Sequence, residues 1–284
     1  MPLHRARERL IAIVTHLRSR LGRIAAVAGL AGGLSGGASA ATLPPRLASS
    51  HEIRFCSAIS LPPMEFMNAK TEPTGVDIAL GAALAKRLGV KPVWLNMPFA
   101  GLIPALLADH CDAIISQLFI KPGRLKVIDE IPYMYSHEAI LMKAGAPKVG
   151  TLAGLSGKKA ATVTGTTATI LLQKANATLR GAHKPTIDIV MFPENTEALQ
   201  QLQFGQVAAY GVAYETARYY THLAPAQFAL GGPPYFKIAT GIGLRKNEKV
   251  LNSDLRSALA GMMKDGSYKQ IFTTWNLQID MLKP

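Results

Sequence analysis

From about residue 50 onward, short apolar runs alternate with longer stretches whose apolar residues recur at helical spacing. Ile53 to Ala58 reads as a strand, and Asp77 caps a helix that runs through Leu88 and stops at Gly89. Lys91 to Leu95 is a second strand, Phe99 to Leu107 a helix, and Asp112 to Ser116 a third strand bounded by polar residues. The pattern then restarts. Strands are expected at Glu138–Lys143, Lys159–Val163, Ile187–Phe192 and Val207–Val212, with helices to Ala175 and over Asn195–Phe204 and Tyr214–Tyr220. Such alternation argues for α/β architecture, with mostly parallel sheets flanked by helices.

Two units of similar order suggest two lobes. The chain past residue 40 is long and apolar enough for one large domain or two modest ones. No short-period repeat or low-complexity tract follows residue 40.

The first 40 residues differ from the rest. They hold Arg5, Arg7, Arg9, Arg18, Arg20 and Arg23 against one acid, Glu8, then an uncharged Ala/Gly-rich stretch ending in Ala38-Ser39-Ala40. A basic segment, a short apolar segment and an A-x-A site lay out a cleavable signal peptide over residues 1–40. A membrane anchor is the competing reading, but the stretch is short and Gly-rich for a bilayer span. No adjacent arginine pair is present, and no cysteine sits at the cleavage site to take a lipid.

The leader also changes the charge. The net charge of +13 falls to +8 once its six basic residues and one acid are removed. The remaining basic residues are scattered, without blocks or interleaved aromatics, so no nucleic-acid partner is expected. Cys56 and Cys111 are the two cysteines. On parallel neighbouring strands they would lie several residues apart, so two free thiols are expected.

The chemistry centres on Ser116-Gln117-Leu118-Phe119-Ile120-Lys121-Pro122-Gly123-Arg124. A turn at Pro122-Gly123 presents Arg124 beyond the carboxyl end of the third strand, the edge where ligands bind in open α/β sheets. The guanidinium fork matches a carboxylate. Arg124 is therefore read as holding an anionic group of a small ligand, or else as a surface residue pairing with an acid such as Asp129. Gly165-Thr166-Thr167 opens a helix and is read either as an anion site at the helix start or as an ordinary threonine cap. His137 is read as structural, and no HExxH, nucleophile elbow or metal-spaced Cys/His cluster is present, so neither metal nor cofactor is expected.

The Arg124 segment resembles the S-x-x-x-I-x-P-x-R signature of family 3 extracellular solute-binding proteins, the receptors of polar amino-acid ABC importers. Gly75-Val76-Asp77-Ile78-Ala79-Leu80, Gly101-Leu102-Ile103-Pro104-Ala105-Leu106, Gly165-Thr166-Thr167 and Asp265-Gly266-Ser267-Tyr268 follow in that family's order, and the likeness runs from about Ile53 to Leu277. The resemblance implies a two-lobed periplasmic binding protein fold with two hinge crossings, near Ser136-His137 and Ala239-Thr240. Residues 41–137 and 240–284 would form one lobe and 138–239 the other. It also implies a monomeric periplasmic receptor that delivers a small-molecule carboxylate to a membrane permease.

Across the implied cleft, Arg124 faces Thr166 and Thr167, with Ser116 and Gln117 on the first lobe. The departures from the family pattern bear on the ligand. Ala213 stands where the family carries an Asp for the ligand's ammonium, and Glu215 takes that role only if the register slips. Leu61 stands where an aromatic flanks the ligand, and Phe119 and Gln117 replace small residues. Phe99, Phe119, Tyr133 and Tyr214 either wall an apolar or cationic moiety or belong to the cores. The ligand is thus expected to be an atypical amino acid, a derivative or another small carboxylate. The rival readings are a cleft enzyme of the cyclohexadienyl dehydratase type, for which Glu65, Glu138 and Glu215 are candidates only by proximity, and a ligand-sensing accessory protein.

Overall fold

The computed structural model describes residues 43–283, so the expected leader lies outside the described residues. The chain begins with α1 (Pro45–Ser50) and β1 (Glu52–Ser57). A small hairpin, β2 (Phe66–Met67) with β3 (Pro73–Thr74), precedes α2 (Val76–Leu88), β4 (Lys91–Asn96), α3 (Leu102–Leu107), β5 (Ala113–Phe119) and the short α4 (Pro122–Leu125). The long β6 (Ile128–Lys143) leads into β7 (Lys159–Val163), α5 (Thr167–Gly181), β8 (Asp188–Phe192), α6 (Asn195–Gln203), β9 (Ala209–Ala213), α7 (Tyr214–Leu223) and β10 (Phe228–Leu230). Then β11 (Tyr235–Arg245) returns the chain to α8 (Lys249–Asp265) and α9 (Ser267–Thr274).

The strands are ordered β4-β1-β5-β11-β6-β9-β7-β8, with β10 on β6. Each end of this order is a parallel trio: β1 lies between β4 and β5, and β7 between β8 and β9. Between the trios run β6 and β11, antiparallel to each other and to their neighbours. These two strands carry the chain between the halves, which makes the molecule two-lobed with two crossings. Ile238 pairs with Ser136 and Ala239 with Tyr135, so the crossings lie side by side.

Both faces of each half are covered. On the first half, α2, α8 and α9 bury Leu84, Leu255 and Phe272 against Phe55 and Tyr133, while α3 buries Leu102 and Leu106 against Ile114 on the other face. On the second half, α6 buries Leu199 and Leu202 against Tyr210, and α5 buries Leu172 and Leu179 against Ile140. At ~1.5–3 kcal/mol per fully buried large aliphatic side chain, these faces supply the main favourable term of folding.

Several expectations need correction. Asp77 does not cap α2; the N-cap is Gly75, with no side-chain cap. Gly75 has φ +124°, and a Cβ there would lie 2.2 Å from the Met64 carbonyl oxygen, so the chain can enter α2 at this angle only with glycine. Asp77 is fully buried instead, accepting the Gln117 N–H at 2.7 Å and the Tyr133 hydroxyl at 2.7 Å. Tyr133 therefore belongs to the first half's core and does not wall a cleft.

The cysteines are not free thiols: Cys56 and Cys111 form a disulfide with Cα atoms 5.7 Å apart. The expectation extended β5 in a straight line back to Cys111. The chain bends at Asp112, whose N–H still reaches the Arg54 carbonyl at 2.8 Å, so Cys111 leaves the strand line and lies in the α3-side core with Cys56. Among the described residues, no helix is long and apolar enough to cross a membrane.

Candidate functional site

Every residue of β5 is buried, and its carboxyl end delivers Gln117, Phe119 and, after the turn, Arg124 to one cleft. Gln117 has φ +41°, a left-handed conformation uncommon for a residue with a side chain. Its surroundings hold it there. The backbone N–H donates to Asp77, and Nε2 donates to Ser136 Oγ at 2.9 Å and to Glu215 Oε2 at 2.8 Å. Glu215 is consequently buried rather than facing water. Burial pushes its carboxyl up to about 7 against the opposing hydrogen bonds from Ser136 and Gln117.

Arg124 spans the cleft. Its Nη1 donates to the Phe119 carbonyl at 2.8 Å, its Nη2 reaches the Gly165 carbonyl at 3.4 Å, and Cζ lies 5.3 Å from the centre of the Phe99 ring. Burial lowers its pKa to about 10, which leaves it a cation at neutral pH. The competing partner, Asp129, is engaged by Lys246 at 3.4 Å instead.

Opposite Arg124, β7 ends at Val163 and a turn at Gly165 starts α5. Thr166 is its N-cap: Oγ1 accepts the Thr169 N–H at 3.4 Å and donates to the Val163 carbonyl at 2.7 Å. The ordinary-cap reading therefore fits Thr166. Thr167 differs, because its hydroxyl is buried in the first turn without a partner. A free hydroxyl in the first turn of a helix, at the positive end of its dipole, suits an anionic ligand.

Leu61, Phe99, Phe119 and Ala213 line the cleft along with Arg124, Gln117, Thr166 and Thr167. Ser116 and Tyr214 are not among the lining residues. Ser116 lies beneath it, accepting the Ala58 N–H at 2.9 Å and donating to Glu65 Oε1 at 2.8 Å. Tyr214 packs edge-on to His137 with ring centres 6.4 Å apart.

Two lining carboxylates, Glu65 and Glu138, were missed as ligand contacts by sequence reasoning, as were Tyr210 and Asn195. Glu65 Oε2 and Glu138 Oε2 are both buried without partners. Burial, with Asp77 beside it, pushes Glu65 well above the usual carboxylate range; burial and the nearby Glu215 push Glu138 up to about 8. One signal for Glu138 was in the sequence: it begins the strand predicted from the apolar run that follows it. Its placement in the cleft depends on strand pairing that one sequence does not reveal.

Contacts also close the cleft's rim. Ser60 Oγ donates to Glu194 Oε2 at 2.8 Å, and Asn195 Nδ2 donates to Ser60 Oγ at 3.2 Å while its Oδ1 accepts the Tyr210 hydroxyl at 2.5 Å. A cleft between two half-sheets joined by two adjacent strands, with polar groups converging from both sides, defines a ligand receptor of the hinged two-lobed class.

The chain belongs to the bacterial extracellular solute-binding proteins, family 3, whose model matches residues 53–278. It is similar to the ABC transporter arginine-binding protein 1 of Escherichia coli (strain K12), with 30% identity over 232 residues covering 80% of this chain and 91% of that protein. Among solved structures, it resembles an ancestral arginine-binding protein bound to arginine, with TM-score 0.74 and 31% identity over 79% of this chain and 98% of that one. It also resembles the ancestral amino acid-binding protein AncCDT-1, a precursor of cyclohexadienyl dehydratase, with TM-score 0.73 and 29% identity over 81% of this chain and 97% of that one.

Proposed function

We propose that this chain is a periplasmic receptor of an ABC importer and that it captures a small carboxylated solute in the cleft and closes around it. The observation that carries the reading is Arg124, a cation over the Phe99 ring that reaches across to the Gly165 carbonyl, two residues before the unpartnered Thr167 hydroxyl. A carboxylate held from both sides binds the closed form better than the open form, which is how a ligand shifts such an equilibrium. The lobes are taken as 41–137 with 240–284, and 138–239, hinged where β6 and β11 run together. The partner would be a membrane permease, and the receptor would act as a monomer.

The periplasmic location is supported by the leader pattern in residues 1–40 and by relatives whose names describe periplasmic binding proteins, such as the histidine-binding periplasmic protein of Salmonella typhimurium. A thermal-shift screen against amino acids, opines, betaines and simple organic acids tests the reading. Stabilisation by a carboxylated solute, abolished in Arg124→Ala, is the expected result. A protein that no such solute stabilises would count against it.

The buried acids lining the cleft favour a cleft enzyme as the second reading, because a protonated carboxyl can deliver a proton. Conversion of a stabilising ligand to a new product, followed by NMR, would replace the receptor reading with this one.

A further inference from the structure

The family's ammonium-binding Asp position is Ala213 here, yet the cleft does not lack a carboxylate. In the antiparallel pairing of β6 with β9, the residue directly opposite Ala213 is Glu138. Residues directly opposite each other share a face of the sheet, with Cβ atoms ~4.5–5.5 Å apart. Both of these residues line the cleft. A glutamate is one methylene longer than an aspartate, so a carboxylate anchored on β6 can reach the space above the Ala213 methyl.

Glu138 is built to receive a ligand. It is 3% exposed, and one carboxylate oxygen has no partner in the protein. The backbone N–H of Ala168, Lys121 and Glu215 all act on it, and among the described residues no cation pairs with it in contact. Glu65 also lines the cleft, but it already accepts the Ser116 hydroxyl and lies against Asp77. Both keep one unpartnered oxygen, and of the two it is Glu138 that stands directly opposite Ala213.

We propose that Glu138 is the acceptor of the ligand's α-ammonium group, taking over from the neighbouring strand the role that Ala213 cannot fill. The inference rests on the receptor reading and narrows its ligand class from small carboxylates to α-amino acids. Arg124 and the α5 start hold the carboxylate, and Glu138 holds the ammonium. Burial raises the Glu138 carboxyl to about 8, so an ammonium arriving beside it favours release of its proton to solvent.

The test is a thermal-shift and calorimetric comparison on the protein purified from periplasmic extract. The probes are the twenty L-amino acids and, for each one that binds, the 2-hydroxy acid with the same side chain. At least one amino acid should bind, Glu138→Gln should weaken it by about 10- to 100-fold, and the double variant Glu138→Ser, Ala213→Asp should recover it. The matching 2-hydroxy acid should bind weakly and equally to wild type and Glu138→Gln. An amino acid whose affinity is unchanged in Glu138→Gln, or falls only in Glu65→Gln, overturns the assignment. Binding of simple organic acids alone overturns it while leaving the receptor reading intact; binding of neither class removes both.

Discussion

Ser60 and Glu194 meet across the mouth of the cleft, hydroxyl to carboxylate, at 2.8 Å. Ser60 follows β1 and Glu194 immediately precedes α6, so the contact ties the two half-sheets together in the closed arrangement. Ser60→Ala removes it, along with the contact from Asn195, while Ser60 itself does not line the cleft. With a neutral-to-charged hydrogen bond contributing ~1.5–3 kcal/mol when buried and less at a half-exposed rim, apparent ligand affinity should fall by about 2- to 10-fold. Calorimetry on the variant checks this, and small-angle scattering should show a more open unliganded form.

Arg124 tolerates no substitute with the same charge. Lysine places a single point charge where the guanidinium fork now reaches both the Phe119 and Gly165 carbonyls. We expect Arg124→Ala to lower carboxylate affinity by about 100-fold or more and Arg124→Lys to recover only part of the loss. Titration of both variants by calorimetry decides it. Equal affinity in the lysine variant would mean that charge alone, not bidentate geometry, holds the ligand.

Arg124's place in the cleft is legible in the sequence because it depends on a local pattern, a buried strand followed by a Pro-Gly turn. The alternation of strands and helices is legible for the same reason. Glu138 is not, because its position in the cleft depends on which strand pairs with β9 and in what register, and β7, α5, β8 and α6 separate β6 from β9 along the chain. Sequence reading also shortens β6 to Glu138–Lys143. The strand in fact runs back to Ile128 through Pro132, which pairs with Gly241 beside a register shift where a missing N–H is tolerated. The disulfide is hidden by one bend at Asp112.

That disulfide yields a stability prediction. The cysteines are 55 residues apart in sequence, and closing a loop of that length removes unfolded-chain entropy corresponding to about 4 kcal/mol. Cys56→Ser with Cys111→Ser should lower the unfolding free energy by ~2–4 kcal/mol. Urea titrations of the wild type with and without reductant, and of the double variant, measure this. A reductant effect that persists in the double variant would place its cause elsewhere.

The buried carboxyls make stability fall as pH rises. Burial is the first cause in each case: it raises Asp77 to about 6, Glu130 to about 7, Glu215 to about 7 and Glu138 to about 8. In the unfolded chain the same groups ionise near ~4. Between about 4 and 8, the folded protein therefore holds protons that the unfolded chain has released, and the unfolding free energy declines with pH. His137, lowered by burial, works in the opposite direction, a single group against several acids. Lys121, lowered to about 8, reverses the trend only above that pH. The melting temperature should be higher at pH 5 than at pH 8. Glu138→Gln isolates one contribution: glutamine matches the protonated carboxyl, so the variant should melt with wild type at pH 5 and above it at pH 8. Scanning calorimetry at the two pH values checks both statements, and a variant that melts below wild type at pH 8 would mean that ionised Glu138 has a stabilising partner in the folded protein.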